Sequence, residues 1–567
     1  MNYGFVIDNR KCIGCHACTT ACKSEHEVPL GVNRTWVKYT ETGEFPDTKR
    51  HFQVTRCNHC ANPPCVAICP TGAMFQRKDG IVEFDSEICI GCKACMQACP
   101  YDAIYIDPET ETAAKCNYCA HRTEVGLEPA CVIVCPEHAI LSGDLDDPAS
   151  EIARAVKENK VTVRKPEQGT RPKLFYIDVE PASVVPMAAV QSSAGLWSEM
   201  PQGGDWRKPF PSGSGVSPER TRGTDVPSVN GQHSDETSEP QGGNGRNSDE
   251  TSEPQGLRTA NMAASMVARE TYNAPHRVPW HWPVPAYLVT KAISAGTFMI
   301  WAMGGALGLF PSDTDPSDHS VVIWATGISL VFALLTTVLL VADLSQPKRF
   351  YYMLIKPQWK SWLTKGAFVL VGFTTLVGIA WLASLLRYDG IALALRWPGA
   401  VLALFTAIYT AFLFAQAEGR DLWQSRWLAP HLAVQAILAG VAGCAFTPLN
   451  SYFGGTIALA WVLGVTCLLN VVFTTADLGQ KHPTREGHAA ARTITRGRYS
   501  RLFQASMLLQ IACSGVAFFV ATKLSNRNWV SEVTAPYLVG VPALLSIIGL
   551  FLYEWGFVMA PQEVPNN

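Results

Sequence analysis

The sequence predicts a protein in three parts: an α+β domain of two similar metal-stapled units, a disordered linker, and an all-α bundle of eight membrane-crossing helices. Three observations carry this reading. Sixteen of the nineteen cysteines fall in the first quarter of the 567 residues, in four regular quartets. A stretch rich in Gly, Ser, Pro and Glu follows, with an internal repeat. The last half is a succession of long apolar runs. The expected boundaries are 1–187, 188–275 and 276–567.

Cys12, Cys15, Cys18 and Cys22 share the spacing C-x2-C-x2-C-x3-C with Cys89, Cys92, Cys95 and Cys99. Cys57, Cys60, Cys65 and Cys69 widen the middle gap to four residues, and Cys116, Cys119, Cys131 and Cys135 widen it to eleven. A cubane iron–sulfur cluster needs four thiolates at tetrahedral corners. One loop wraps three of them, and the fourth cysteine of the run ligates the other cluster of a pair. Proline follows the last cysteine in three runs, as Pro70, Pro100 and Pro136, and Lys23 follows in the first. Structural zinc usually takes two separated pairs, whereas two of these runs place the third cysteine just after the second. Disulfides need an oxidising compartment, and no apolar signal segment precedes Cys12. The expectation is four [4Fe–4S] clusters assembled in the cytoplasm. Cys444, Cys467 and Cys513 stand alone in apolar stretches and read as inert core cysteines.

Within the first domain, Phe5-Val6-Ile7-Asp8 before Cys12 matches Ile81-Val82-Glu83-Phe84-Asp85 before Cys89. Each strand leads into a cluster loop and a short helix, an internal ferredoxin-like duplication. Such units bury little by themselves, so iron–thiolate bonds must substitute for a large core. Residues 23–53 read as a long loop open to a docking partner. The linker repeats Ser234–Gly242 as residues 248–256. Its low hydrophobicity and many breakers exclude a packed core and suggest a tether between two proteins encoded separately elsewhere.

Eight apolar stretches are long enough to cross ~30 Å of hydrocarbon: roughly 285–310, 319–343, 360–386, 396–416, 427–447, 453–475, 500–523 and 535–558. Trp280, Trp282, Trp359, Trp362, Trp397, Trp423, Trp427 and Trp529 sit near their ends, as an interfacial aromatic belt should. The loops on the side of the cysteine domain carry Lys348, Arg349, Lys356, Lys360, Arg420, Arg426, Lys481, Arg485, Arg492, Arg496 and Arg498. The opposite loops carry only Arg387, Arg396, Lys523 and Arg527. The positive-inside rule then puts the cysteine domain in the cytoplasm, at the inner (cytoplasmic) membrane. A net charge of −2 gives no reason to expect a nucleic-acid partner.

The quartets, Pro63-Pro64-Cys65, the Cys-Pro pairs and the closing stretch Lys165–Pro172 resemble the four-cluster electron-transfer (beta) subunit of the molybdopterin oxidoreductases over residues 3–180. That resemblance implies a pairing of runs. One cluster takes Cys12, Cys15, Cys18 and Cys135, and another takes Cys22, Cys116, Cys119 and Cys131. A third takes Cys57, Cys60, Cys65 and Cys99, and the last takes Cys69, Cys89, Cys92 and Cys95. It also implies a separate molybdenum or tungsten pterin catalytic subunit.

Residues 278–560 resemble the polysulfide-reductase (NrfD-like) membrane subunit, an eight-helix quinone-reactive protein without haem. The resemblance is carried by Trp280-His281-Trp282, Tyr287, Ala295-Gly296, Ala342-Asp343-Leu344, Lys365-Gly366-Ala367 and Tyr409-Thr410 before Trp423. It implies a quinone near the cluster-facing end of the bundle. Tyr409 and Tyr287 match its hydrogen-bonding positions, with Tyr287 standing where the family has a histidine and Val284 where it has an asparagine. Lys291, one turn or so inside the first span, is a quinone or proton-relay candidate because an ion there is costly; snorkelling to the interface is the rival. His281 and Asp343 complete the candidate quinone set. Asp477 and Glu554 are expected at the interface. The histidines His281, His319, His431, His482 and His488 lie at helix ends or in loops, so no haem is expected.

The combined expectation is an electron-transfer and quinone-reactive subunit of a multisubunit respiratory oxidoreductase, with its substrate site on another chain. The rivals are a subunit of a cytochrome-c-linked quinol-oxidising complex, a redox-gated proton-translocating module, and a plain membrane anchor.

Overall fold

The computed structural model describes residues 1–44, 46–191, 268–274, 278–304, 319–451, 453–524 and 535–566. Its first sheet centres on β1 (Tyr3–Asp8). β1 pairs parallel with β10 (Leu174–Ile177), Phe5 opposite Leu174, and antiparallel with β8 (Ile140–Asp144), Phe5 opposite Ser142. β9 (Val161–Thr162) closes that sheet. Two hairpins, β4 (Met74–Gln76) with β5 (Val82–Phe84) and β6 (Ile104–Ile106) with β7 (Ala113–Lys115), hold the cysteine loops between them.

The helices of this domain are short: α1 (Ala17–Glu25), α2 (Pro64–Ile68), α3 (Ala94–Ala98), α4 (Ala120–Thr123), α5 (Ala130–Ile133), α6 (Glu151–Glu158) and α7 (Pro181–Val184). Strand, cysteine loop and helix recur as β1–α1 and β5–α3. The backbone repeats in detail. Gly14 and Gly91 have φ of 71° and 66°, and His16 and Lys93 have 61° and 62°. The left-handed conformation costs glycine nothing but strains His16 and Lys93 by roughly 1 kcal/mol each.

Residues 23–53 are not a free loop. Most of them form the hairpin β2 (Thr35–Thr42) and β3 (Lys49–Arg56), Val37 opposite Val54. Val37 and Val54 are both 1% exposed. The burial of Thr35–Lys38 and of Gln53–Arg56, four residues in a row on each strand, is what a composition-based loop assignment missed.

The same hairpin takes up both ends of the expected linker. β12 (Arg269–Tyr272) pairs antiparallel with β2, and β11 (Val190–Gln191) pairs parallel with β12, Val190 opposite Arg269. Lys38 Nζ reaches Glu270 Oε2 at 2.9 Å in a buried ion pair. The interior of the linker, 192–267, lies outside the described residues, and so does its repeat. Its two ends are nevertheless held on neighbouring strands, about 4.8 Å apart. The crossing to the membrane part is therefore made after β12. Replacing residues 192–267 by about eight Gly/Ser residues, with a reach of ~15 Å, is expected to leave the two parts associated. Washing membranes with salt and chelator after cleavage at an engineered site in the connector checks this; release of the N-terminal fragment would contradict it.

The membrane part contains α8 (Pro283–Gly304), α9 (His319–Ala342), the single turn α10 (Tyr352–Ile355), α11 (Trp362–Leu385), α12 (Asp389–Gln416), α13 (Leu428–Cys444), α14 (Phe453–Gly479), α15 (Arg485–Thr495), α16 (Ser500–Leu524) and α17 (Ala535–Glu563). Among the described residues, seven of these are long and apolar enough to cross a membrane. The fifth expected span, 427–447, is instead the 17-residue α13. α13 is buried along most of its length, because it runs between α8, α14 and α17. The amphipathic α15 was not foreseen. It lies across the cysteine-domain end of the bundle, where Glu486 pairs with Lys165 at 3.5 Å.

The aromatic belt needs one correction. Trp282, Trp359 and Trp397 are about half exposed, as the belt requires, but Trp280 and Trp423 are buried at 5% and 0%. These two stack at 5.5 Å beneath the cysteine domain, and Phe414 stacks on Trp423 at 4.8 Å. Trp529 lies outside the described residues.

Candidate metal centres and membrane site

The cysteine loops gather into four sets, each drawing on two quartets. Cys12 is within charge–charge range of Cys15 and Cys135, and Cys18 of Cys12. Cys22 faces Cys116, Cys119 and Cys131. Cys65 faces Cys57, Cys60 and Cys99. Cys95 faces Cys69, Cys89 and Cys92. The first set lines one partly open cavity and the last set another. All nineteen cysteines are unpaired. Among the described residues no three His, Cys, Asp or Glu side chains converge tightly enough to grip one metal ion. The thiols surround volumes instead, as a polynuclear cluster needs.

Two further features fit an anionic iron–sulfur group. Left-handed residues alternate with cysteines in the loops, at His16, His59, Lys93, Tyr118 and Cys119, and such backbone turns aim amide N–H groups inward. Amides of Met74, Ala113 and Ala139 donate to Cys69, Cys89 and Cys135 at 3.3, 3.5 and 3.3 Å. Burial holds the His26 imidazole down at about 4, and its Nε2 lies 3.1 Å from Cys119 Sγ.

Arg56 is the functional residue that sequence reasoning missed. It is fully buried, donates from Nη1 to Cys131 Sγ at 2.9 Å, and is flanked by Cys18 and Cys116. Its Nε and Nη2 have no partner among the described residues. A buried guanidinium with idle donors between two thiolate sets is compensated only by negative charge there. A unit charge ~5 Å away at an effective dielectric near 20 is worth roughly 3 kcal/mol, on the order of 100 mV for one electron. Arg56→Met is therefore expected to lower the reduction potential of one or both adjacent centres by about that much, read by redox-titrated electron paramagnetic resonance. An unchanged potential would mean the charge is neutralised elsewhere. Its position directly before Cys57 was the available signal.

Neighbouring sets lie in charge–charge range of one another through Cys18 and Cys131, Cys116 and Cys57, and Cys65 and Cys95. They form a row. One end is the set containing the exposed Cys15. The other end, the set of Cys69, Cys89, Cys92 and Cys95, rests on the bundle. There Trp280 Nε1 donates to the Cys92 carbonyl at 3.2 Å, Gln358 Nε2 to the Cys69 carbonyl at 3.1 Å, and Arg349 Nη1 to the Cys89 carbonyl at 3.2 Å. Arg420 Nε donates to Gln97 Oε1 at 3.0 Å. Arg349 and Arg420 thus have a docking role besides any in membrane orientation.

Beneath this contact lies the membrane site. Lys291 is 2% exposed, so its ammonium does not snorkel. It donates to Thr410 Oγ1 and stands over the Tyr409 ring at 4.7 Å, with the Tyr287 ring at 6.0 Å. Tyr287 and Tyr409 are each 4% exposed. Gly366 makes room for the Tyr409 ring: a Cβ there would overlap it. With a rise of 1.5 Å per residue, Lys291 lies about 12 Å inside α8.

His281 does not join this group, and Asp343 meets it only by charge, within range of Tyr287. Asp343 accepts from Lys93 Nζ at 3.5 Å at the domain contact, and its carboxyl is pushed up by burial, which Lys93 opposes. His281 is exposed near the same lysine. Glu554 is not interfacial, and Asp477, two residues from the end of α14, is turned inward. Each is 2% exposed, inside the bundle.

Comparison with known proteins agrees with this division. A 4Fe-4S dicluster domain matches residues 11–74, another matches residues 48–145, and the polysulphide reductase NrfD family matches residues 270–552. The protein is 46% identical over 202 residues to a tetrathionate reductase subunit of Salmonella typhimurium, covering 35% of this chain and 80% of that one. It is 45% identical over 179 residues to a polysulfide reductase subunit of Wolinella succinogenes, covering 31% and 93%. It is 43% identical over 180 residues to NrfC of Escherichia coli, covering 31% and 81%.

Proposed function

Because this protein belongs to the 4Fe-4S dicluster subunits that include NrfC and its polysulfide reductase counterpart, continued in one polypeptide by an NrfD membrane module, we propose that it couples a quinone pool to a separate catalytic subunit. It is an iron–sulfur electron-transfer subunit of an oxidoreductase and a multi-pass membrane protein. The finer reading is four [4Fe–4S] clusters held by the four cysteine sets, an eight-helix bundle with α13 as its short member, and a quinone at Lys291, Tyr287 and Tyr409. The catalytic partner is read as a molybdenum or tungsten pterin subunit, docked at the far end of the row near Cys15. The inner membrane, with the cysteine domain in the cytoplasm, is the proposed location.

One observation carries the proposal: the cysteine sets form a row that ends, through Cys92 and Trp280, on the bundle that buries Lys291. When bound, the clusters supply one-electron transfer over the row. The polypeptide does the rest. The sixteen thiolates hold the centres, the amide and Arg56 donors set their charge, and the Trp280–Trp423 stack fixes the domain contact. Lys291 and Thr410 present hydrogen-bond donors, and the two tyrosines wall the site.

Anaerobically purified protein, titrated with a quinol analogue, tests this. About sixteen iron atoms per polypeptide and quinol-driven reduction of the clusters are expected. Iron far below that, or clusters that dithionite reduces and quinol does not, would refute it.

A further inference from the structure

A polar network that no earlier step uses lies in the core of the bundle, between α13, α14 and α17. His431 Nδ1 lies 3.1 Å from Asp477 Oδ2, and the other Asp477 oxygen accepts from Ser425 Oγ at 2.5 Å. His431 Nε2 faces both a donor and an acceptor, the Gln435 amide nitrogen at 3.2 Å and Asn470 Oδ1 at 3.0 Å. Neutral imidazole and imidazolium therefore both find partners. Gln435 Nε2 also donates to Glu554 Oε1 at 2.7 Å. Glu554 Oε2 is buried with no hydrogen-bond partner among the described residues, and so is the Tyr553 hydroxyl beside it. Glu554 lies within charge–charge range of Lys291.

Buried carboxylates and a histidine are costly inside a membrane and usually mark a pathway. Here the order in depth is informative. Ser425 is half-buried at the cysteine-domain end of α13, His431 and Gln435 lie one and two turns in, and Glu554 is about 13 Å from the same end of α17. Glu554 thus links the Lys291 site to the face that carries the cysteine domain.

We propose that Asp477, His431 and Glu554 form a proton conduit between the quinone site and the membrane face bearing the cysteine domain. The proposal rests on the quinone site proposed above. In quinol oxidation both O–H bonds break, two electrons leave through the clusters, and the two protons leave through Glu554, His431 and Asp477. Quinone reduction reverses each step. Gln435 positions Glu554 against His431 and leaves Glu554 Oε2 without a hydrogen-bond partner among the described residues.

The test uses the full-length protein in liposomes selected for outward cysteine domains. Quinol is placed in the bilayer, with hexaammineruthenium(III) outside as an impermeant acceptor that takes electrons without protons. About two protons per quinol should appear outside and none in the lumen, read by pH dyes on each side. Glu554→Gln should slow turnover about 10²-fold while leaving the affinity for a quinone-site inhibitor within about twofold. Asp477→Asn, remote from the quinone, should slow it about tenfold, also with inhibitor binding intact. Luminal proton release, or wild-type turnover in both variants, overturns the conduit. If Glu554→Gln loses inhibitor binding, Asp477→Asn decides: normal turnover overturns the proposal, and slowed turnover with intact binding sustains it. Wild-type protein that passes no electrons from quinol to the acceptor overturns the quinone site itself, and the conduit with it.

Discussion

Replacing Cys99 by alanine is expected to stop quinol-driven reduction of the two sets farthest from the membrane. Cys99 belongs by sequence to the third quartet, but it faces Cys57, Cys60 and Cys65. The backbone leaves α3 in an extended conformation at this residue, which carries its thiol across to the neighbouring set. That set lies between Cys116 on one side and Cys95 on the other. Losing its centre breaks the row in the middle. Iron should fall from about sixteen to about twelve atoms per polypeptide. The resonance signal lost should be the one also lost in Cys60→Ala, and a different one from that lost in Cys95→Ala. Shared loss between Cys99→Ala and Cys95→Ala would show that the run pairing is wrong.

The second large effect is expected at Lys291. Lys291→Met keeps the length and shape of the side chain and removes its charge. A preorganised donor at a site where charge develops is worth about 10²-fold in rate, so quinol-driven cluster reduction should slow by about that factor. Reduction by dithionite should be unchanged, because it bypasses the membrane site. Stability should hold or rise, since a buried charge without a paired counter-ion is removed. Thermal unfolding in detergent and stopped-flow reduction check the two halves. Unchanged quinol kinetics would move the quinone elsewhere. A drop in stability together with normal kinetics would make Lys291 structural.

Much of the site was legible in the amino-acid sequence. The quartets, their spacing and the long apolar runs are local patterns, and metal ligation and membrane insertion both act on local patterns. Lys291 stood out because a lysine within an apolar span is expensive whatever surrounds it. Arg56 did not stand out, because an arginine at a strand end is ordinary until Cys18, Cys116 and Cys131 close around it. His431, Asp477 and Glu554 were read as edge residues from their distance to helix ends. α13 is short and central, so its first turns are already interior.

Sequence alone determined that this protein carries sulfur-ligated metal in its first part and lies in a membrane in its last. Both follow from residues near one another along the polypeptide. Tertiary structure decided which thiols meet, that the linker ends sit side by side on one sheet, and that three titratable groups line up behind Lys291. Those are contacts between residues tens to hundreds of positions apart. They arise from packing of whole elements, which no local spacing encodes.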